Sequence, residues 1–68
     1  MNVLYVATLK EFNGKYNLPK GTVVQVTSEL LPGSMTGSDS FVTGVVQSPN
    51  GATFLATFDY FDVARLGD

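Results

Sequence analysis

The chain contains no cysteine, no histidine and no tryptophan. Without cysteine there is no disulfide to staple a small fold and no thiol nucleophile. Without histidine the commonest general base is missing, and a zinc site would have to be built from carboxylates alone. Charge is also scarce, at 15% of residues against a usual quarter or so. No apolar run approaches the roughly 20 residues of a membrane span. The N-terminal one ends at Lys10-Glu11, and no basic segment precedes it as in a secretory signal. These absences predict a protein that is not an enzyme, carries no cofactor or metal, avoids the membrane and is used where it is translated, in the cytoplasm.

What is present suits a packed β domain. With 68 residues, the chain makes one domain, 1–68, able to bury only about 60% of its unfolded surface. Hydrophobic residues at 44%, among them five Phe and three Tyr, supply a core. Stability must therefore come from packing or from a partner.

The clearest local signal is a hairpin. Phe41 to Gln47 and Ala52 to Phe58 are strand-like and flank Ser48-Pro49-Asn50-Gly51, whose Pro, Asn and Gly reverse the chain at little steric cost. Gly44 in mid-strand predicts a bulge, a bend or a close backbone approach, each of which curls a short sheet toward closure. Before the hairpin, residues 2 to 9 read as a first strand, apolar on both alternating faces. Thr22 to Thr27 read as a second strand, with Thr22, Val24 and Val26 on the core face. The loop from Lys10 to Asn17 carries an Asn13-Gly14 turn signal with Phe12 and Tyr16 near its tip. Either both rings fold back onto the barrel or at least one is an exposed contact platform. Leu31 to Ser40, rich in Gly and Ser, predicts a flexible loop with Met35 near its centre. Near the end, Asp59 or Asp62 is placed to cap a single helical turn leading into a very short last strand.

Leu4-Tyr5 lies where SH3 domains carry an aliphatic-Tyr motif. Tyr16-Asn17-Leu18-Pro19-Lys20-Gly21-Thr22-Val23-Val24-Gln25-Val26 is similar to their diverging turn, and the spacing from Tyr5 to Leu18 matches. Over most of its length the chain thus resembles an SH3-like small β-barrel. The resemblance implies an all-β fold, a five-stranded SH3-like barrel with a short helical turn near the C-terminus. The groove by which SH3 domains bind Pro-rich ligands depends on a Trp and a Pro-x-x-Tyr segment. This chain has no Trp, and no proline precedes Tyr60, so the resemblance implies a fold rather than that activity.

The remaining motifs are weak. Asp59 and Asp62, three apart, lack a third ligand and read as a capping or solvated pair. Gly33, Gly37, Gly44 and Gly51 are too dispersed for a phosphate loop. Net charge is −2, divided as +2 over residues 1–28 (Lys10, Lys15, Lys20 against Glu11) and −4 over residues 29–68 (Glu29, Asp39, Asp59, Asp62, Asp68 against Arg65). Lys10, Lys15 and Lys20, interleaved with Phe12 and Tyr16, form the one patch suited to nucleic acid. Three phosphate contacts would give a salt slope of only about 3, however. The expectation is a protein-binding module, complete in one short reading frame, that docks on a larger protein through Phe12, Tyr16, Met35, Asp39, Asp59, Tyr60 and Asp62. Small phage-encoded inhibitors of host nucleic-acid enzymes, acting in the host cytoplasm, are of this kind, and the acidic half would suit a basic surface. The alternatives are weak nucleic-acid binding and a structural role as a homo-oligomer joined through edge strands.

Overall fold

The turn from Ser48 to Gly51 forms as its residues predict. The Gly51 N–H donates to the Ser48 carbonyl at 2.9 Å and the Ser48 N–H to that of Ala52 at 2.8 Å. Gly51 takes the left-handed conformation, φ +94°, which costs glycine nothing. Asn50 Oδ1 accepts from the Ala52 N–H at 3.1 Å. This hairpin sits in a computed structural model that describes residues 2–33 and 40–67. Met35, Asp39 and most of the expected 31–40 loop lie outside the described residues.

The elements in order are β1 (Tyr5–Leu9), β2 (Val23–Leu30), β3 (Phe41–Gln47), β4 (Thr53–Asp59), a 3₁₀ turn (Tyr60–Asp62) and β5 (Val63–Arg65). All neighbouring strands are antiparallel, in the order β4-β3-β2-β1-β5. The fold is therefore all-β, with a helical turn just before the last strand. β1 is shorter than residues 2–9, although the Leu4 N–H still donates to the Val26 carbonyl at 2.7 Å. β2 runs three residues past Thr27, because Ser28, Glu29 and Leu30 find partners in Thr43, Val42 and Phe41. Available pairing overrides the modest strand preference of Ser and Glu.

Alternation puts one side of every strand into a single core: Ala7 and Leu9, Val24 and Val26, Val42 and Val46, Ala56 and Phe58, and Val63. The closed barrel predicted from Gly44 is not reached. The sheet wraps around this core but remains open, with no ladder between β4 and β5 among the described residues. Closure fails because β5 is only three residues long and the 3₁₀ turn occupies the gap, the Tyr60 N–H reaching the Ser40 carbonyl at 3.3 Å.

Leu18 completes the core from outside the sheet and is fully buried. Asn13 and Leu18 exchange backbone hydrogen bonds at 2.8 and 3.0 Å, closing residues 14–17 into a tight loop in which Asn17 is left-handed at φ 56°. Burying such a leucine stabilises by about 1.5–3 kcal/mol, a large share for a domain of this size. Leu18 thereby ties the loop bearing Phe12 and Tyr16 to the core.

Candidate protein-binding site

A displaced register creates the site. Val24 pairs with Val46 and Val26 with Gly44, but the next pairs are Ser28 with Thr43 and Glu29 with Val42. Thr27 is the extra residue, and its hydroxyl donates to the Thr43 carbonyl at 3.2 Å. Because side chains alternate with period two, one inserted residue reverses the faces beyond it. Glu29 therefore points to the same side as Val24 and Val26, where unbroken alternation would have turned it outward. Gly44 permits this crowding: a Cβ there would lie 2.5 Å from the Gln25 carbonyl oxygen.

Once inward, Glu29 meets Tyr5 on β1, whose hydroxyl donates to its Oε1 at 2.7 Å. The Arg65 guanidinium lies 4.5 Å from the centre of the Tyr5 ring, since β5 pairs Arg65 with Ala7, two residues along the same face. Partial burial, then the hydrogen bond to Glu29 and its negative charge, push the Tyr5 phenol up from 10.0 to about 12, with Arg65 opposing. The folded state thus favours the protonated phenol. That contribution to stability is fully present below pH 10 and is lost as pH rises through about 12. In an absorbance titration, one of the three tyrosines should ionise with this late midpoint. Tyr5→Phe should delete that step and flatten the fall in stability over the same range. A titration in which Tyr5→Phe removes only an ordinary step near pH 10 would show that the pair does not persist in solution.

Around this pair lies a cleft of about 310 Å³. Tyr5, Val63, Tyr60 and Phe61 supply its apolar surface, and Lys10, Glu29, Leu31 and Arg65 complete the lining. Tyr60 and Phe61 stand edge to face, with centroids 5.4 Å apart. The 3₁₀ turn holds them there, because Asp59 Oδ1 caps it by accepting from the Phe61 N–H at 2.9 Å. The Asp62 carbonyl accepts from the Lys10 N–H at 2.9 Å, fastening the turn to the end of β1.

The expected site residues are only partly brought together. Tyr60 and Lys10 line the cleft, with Asp59 and Asp62 shaping the turn beside it. Tyr16 folds back, its ring 5.8 Å from Phe54 and 5.5 Å from Phe58, while its hydroxyl accepts from the Thr57 N–H at 3.1 Å. Phe12 is 61% exposed, so the two rings expected at one loop tip part company. Lys15 lies 5.4 Å from the Tyr16 ring centre and Lys20 occupies the turn before β2; neither lines the cleft with Lys10. Sequence reasoning did not count Tyr5, Glu29, Phe61 or Arg65 among the site residues. Gly44 marks the irregularity only from the β3 side; the extra residue that reverses the alternation at Glu29 is Thr27, opposite it in β2. The chain matches no protein-family model, no curated protein and no solved structure.

Proposed function

We propose that this chain is a non-catalytic protein-binding module that docks on a larger protein through the cleft between Tyr5 and Tyr60. The observation that carries the reading is the concentration of aromatic surface there. Three rings, Tyr5, Tyr60 and Phe61, line one concavity rimmed by Lys10, Glu29 and Arg65, and Phe61 is 61% exposed. Aromatic anchors with a polar rim are the usual make-up of interface hot spots. The long loop after β1, the helical turn before β5 and the shared cleft lined by Tyr5 and Tyr60 are also in keeping with an SH3-like fold. Asp59 and Asp62 add negative charge beside the cleft, which suits a basic partner surface such as the nucleic-acid channel of a host enzyme. In that setting the protein acts as a small inhibitor of the kind phages encode.

Affinity capture from a lysate of the source or host cell tests this. The wild-type chain should retain a stoichiometric protein partner. Phe61→Ala should retain at least 30-fold less, as loss of a hot spot of about 2 kcal/mol implies, with a melting temperature close to wild type because the side chain is exposed. Capture that Phe61→Ala leaves intact, or a salt-sensitive complex with an oligonucleotide in place of a protein, would overturn the reading.

A further inference from the structure

Asparagine followed by glycine is a sequence at which a chain readily attacks itself, because no Cβ hinders the glycine nitrogen as it approaches the asparagine side chain. This chain has two such pairs, Asn13-Gly14 and Asn50-Gly51, and the fold treats them differently. Asn13 is half-buried, and its backbone N–H and carbonyl are both bonded to Leu18, at 2.8 and 3.0 Å. Turning Asn13 so that its Cγ meets the Gly14 nitrogen would break the exchange that holds Leu18 in the core. Asn50 is exposed, at the tip of the β3–β4 hairpin. The Gly51 N–H is held by one bond, to the Ser48 carbonyl, and the core residues nearest in sequence are Val46 and Ala56, so opening is confined to the turn. The Asn50 side chain is also prepared for attack. Its Oδ1 accepts from the Ala52 N–H at 3.1 Å and from the Ser48 hydroxyl. Two donors on one amide oxygen stabilise the negative charge that forms there when a nucleophile adds to Cγ. Asn13 Oδ1 has one such donor among the described residues, the Tyr16 N–H at 3.0 Å.

We infer that Asn50 is a site of spontaneous modification, where the chain deamidates through a cyclic imide formed with Gly51. The Gly51 nitrogen gives its proton to hydroxide and forms a bond to Asn50 Cγ. The bond from Cγ to Nδ2 then breaks, and ammonia leaves with a proton taken from water. Water next opens the imide in either of two ways. Cleavage between the nitrogen and Cγ yields aspartate with the backbone as before, whereas cleavage at the main-chain carbonyl yields isoaspartate, the chain now running through Cγ. An amide and water become a carboxylic acid and ammonia, so no oxidant or reductant takes part. Both products place a carboxylate in a stretch, Phe41 to Phe58, that has no charged residue. Isoaspartate also lengthens the backbone of the turn and draws the Gly51 N–H away from the Ser48 carbonyl. Neither Asn50 nor Gly51 lines the Tyr5 cleft, so the modification leaves that surface in place.

Ageing the full chain in mildly alkaline buffer at physiological temperature, followed by peptide mapping with mass spectrometry, is the test. The peptide containing Asn50 should gain the mass of an amide-to-acid conversion at least about tenfold faster than the one containing Asn13, a ratio equivalent to roughly 1.4 kcal/mol of extra opening cost at Asn13. In urea concentrated enough to unfold the chain, the two sites should convert at similar rates, since the fold is what separates them. Ser48→Ala removes one donor from Asn50 Oδ1 and should slow conversion there about threefold in the native state. Asn50→Gln should abolish the mass gain in its own peptide and leave Asn13 unaffected. Native conversion that is absent at Asn50, equal at the two sites or faster at Asn13 would overturn the inference. So would a ratio that urea leaves unchanged, or a Ser48→Ala chain that converts as fast as wild type.

Discussion

Gly44→Val is expected to cost about 3 kcal/mol, at the upper end for overpacking a core, and to leave much of the protein unfolded at 37 °C. The added carbon would stand 2.5 Å from the Gln25 carbonyl oxygen, 2.9 Å from its carbon and 2.9 Å from Val24 Cγ1. Two of these atoms are backbone and cannot rotate away, so β2 and β3 must separate where the register shifts. A domain of this length has about 3–10 kcal/mol in total, so the substitution consumes a large part of it. Urea denaturation measures the loss. The folded remainder carries a second readout: drawing the strands apart undoes the displacement that turns Glu29 inward, so the late ionisation of Tyr5 should revert toward 10.0. A Gly44→Val protein with wild-type stability would refute the close approach.

Leu18→Ala should destabilise by about 3 kcal/mol, within the 2–5 usual for a buried leucine. Leu18 is a loop residue with no exposed surface, and the tight 14–17 loop depends on its exchange of hydrogen bonds with Asn13. Truncation leaves a cavity and frees the loop, so the Tyr16 hydroxyl loses its place against the Thr57 N–H. Denaturation gives the magnitude, and amide exchange at Thr57 should accelerate well beyond that of its β4 neighbours. A cost under about 1 kcal/mol with Thr57 protection unchanged would show that Leu18 does not anchor the loop.

Where a feature depended on a few adjacent residues, it was legible. Ser48-Pro49-Asn50-Gly51 signalled its own turn, Asp59 and Asp62 were the two candidate caps, of which Asp59 takes the role, and Tyr60 to Arg65 signalled the helical turn and short last strand. Val24 and Val26 followed from alternation alone. Gly44 was legible as an irregularity, but what it does was not, because the extra residue lies on the partner strand at Thr27. For the same reason the pairing of Tyr5 with Glu29, 24 residues apart, could not be read from either neighbourhood. Phe12 and Tyr16 look alike in sequence. They separate because only Tyr16 can set its ring on Phe54 and Phe58 while its hydroxyl meets a backbone donor on β4. Sheet closure was over-read, since Gly44 supplies curvature but not the strand length needed to join β5 to β4.

That hydroxyl on β4 bears on how the protein stays dispersed. β4 ends the sheet, and Thr53 to Phe58 reads Thr-Phe-Leu-Ala-Thr-Phe: six residues of high β-propensity with no charge and no proline, the composition that seeds cross-β assembly. Natural edge strands usually carry a lysine, a proline or a bulge as a guard, and this one has none within those six residues. Its guard comes from another part of the chain, because Tyr16 occupies the Thr57 N–H that an incoming strand would need for a continuous ladder. Colloidal stability here hangs on a loop 41 residues away in sequence, and is only as durable as the leucine that pins that loop down.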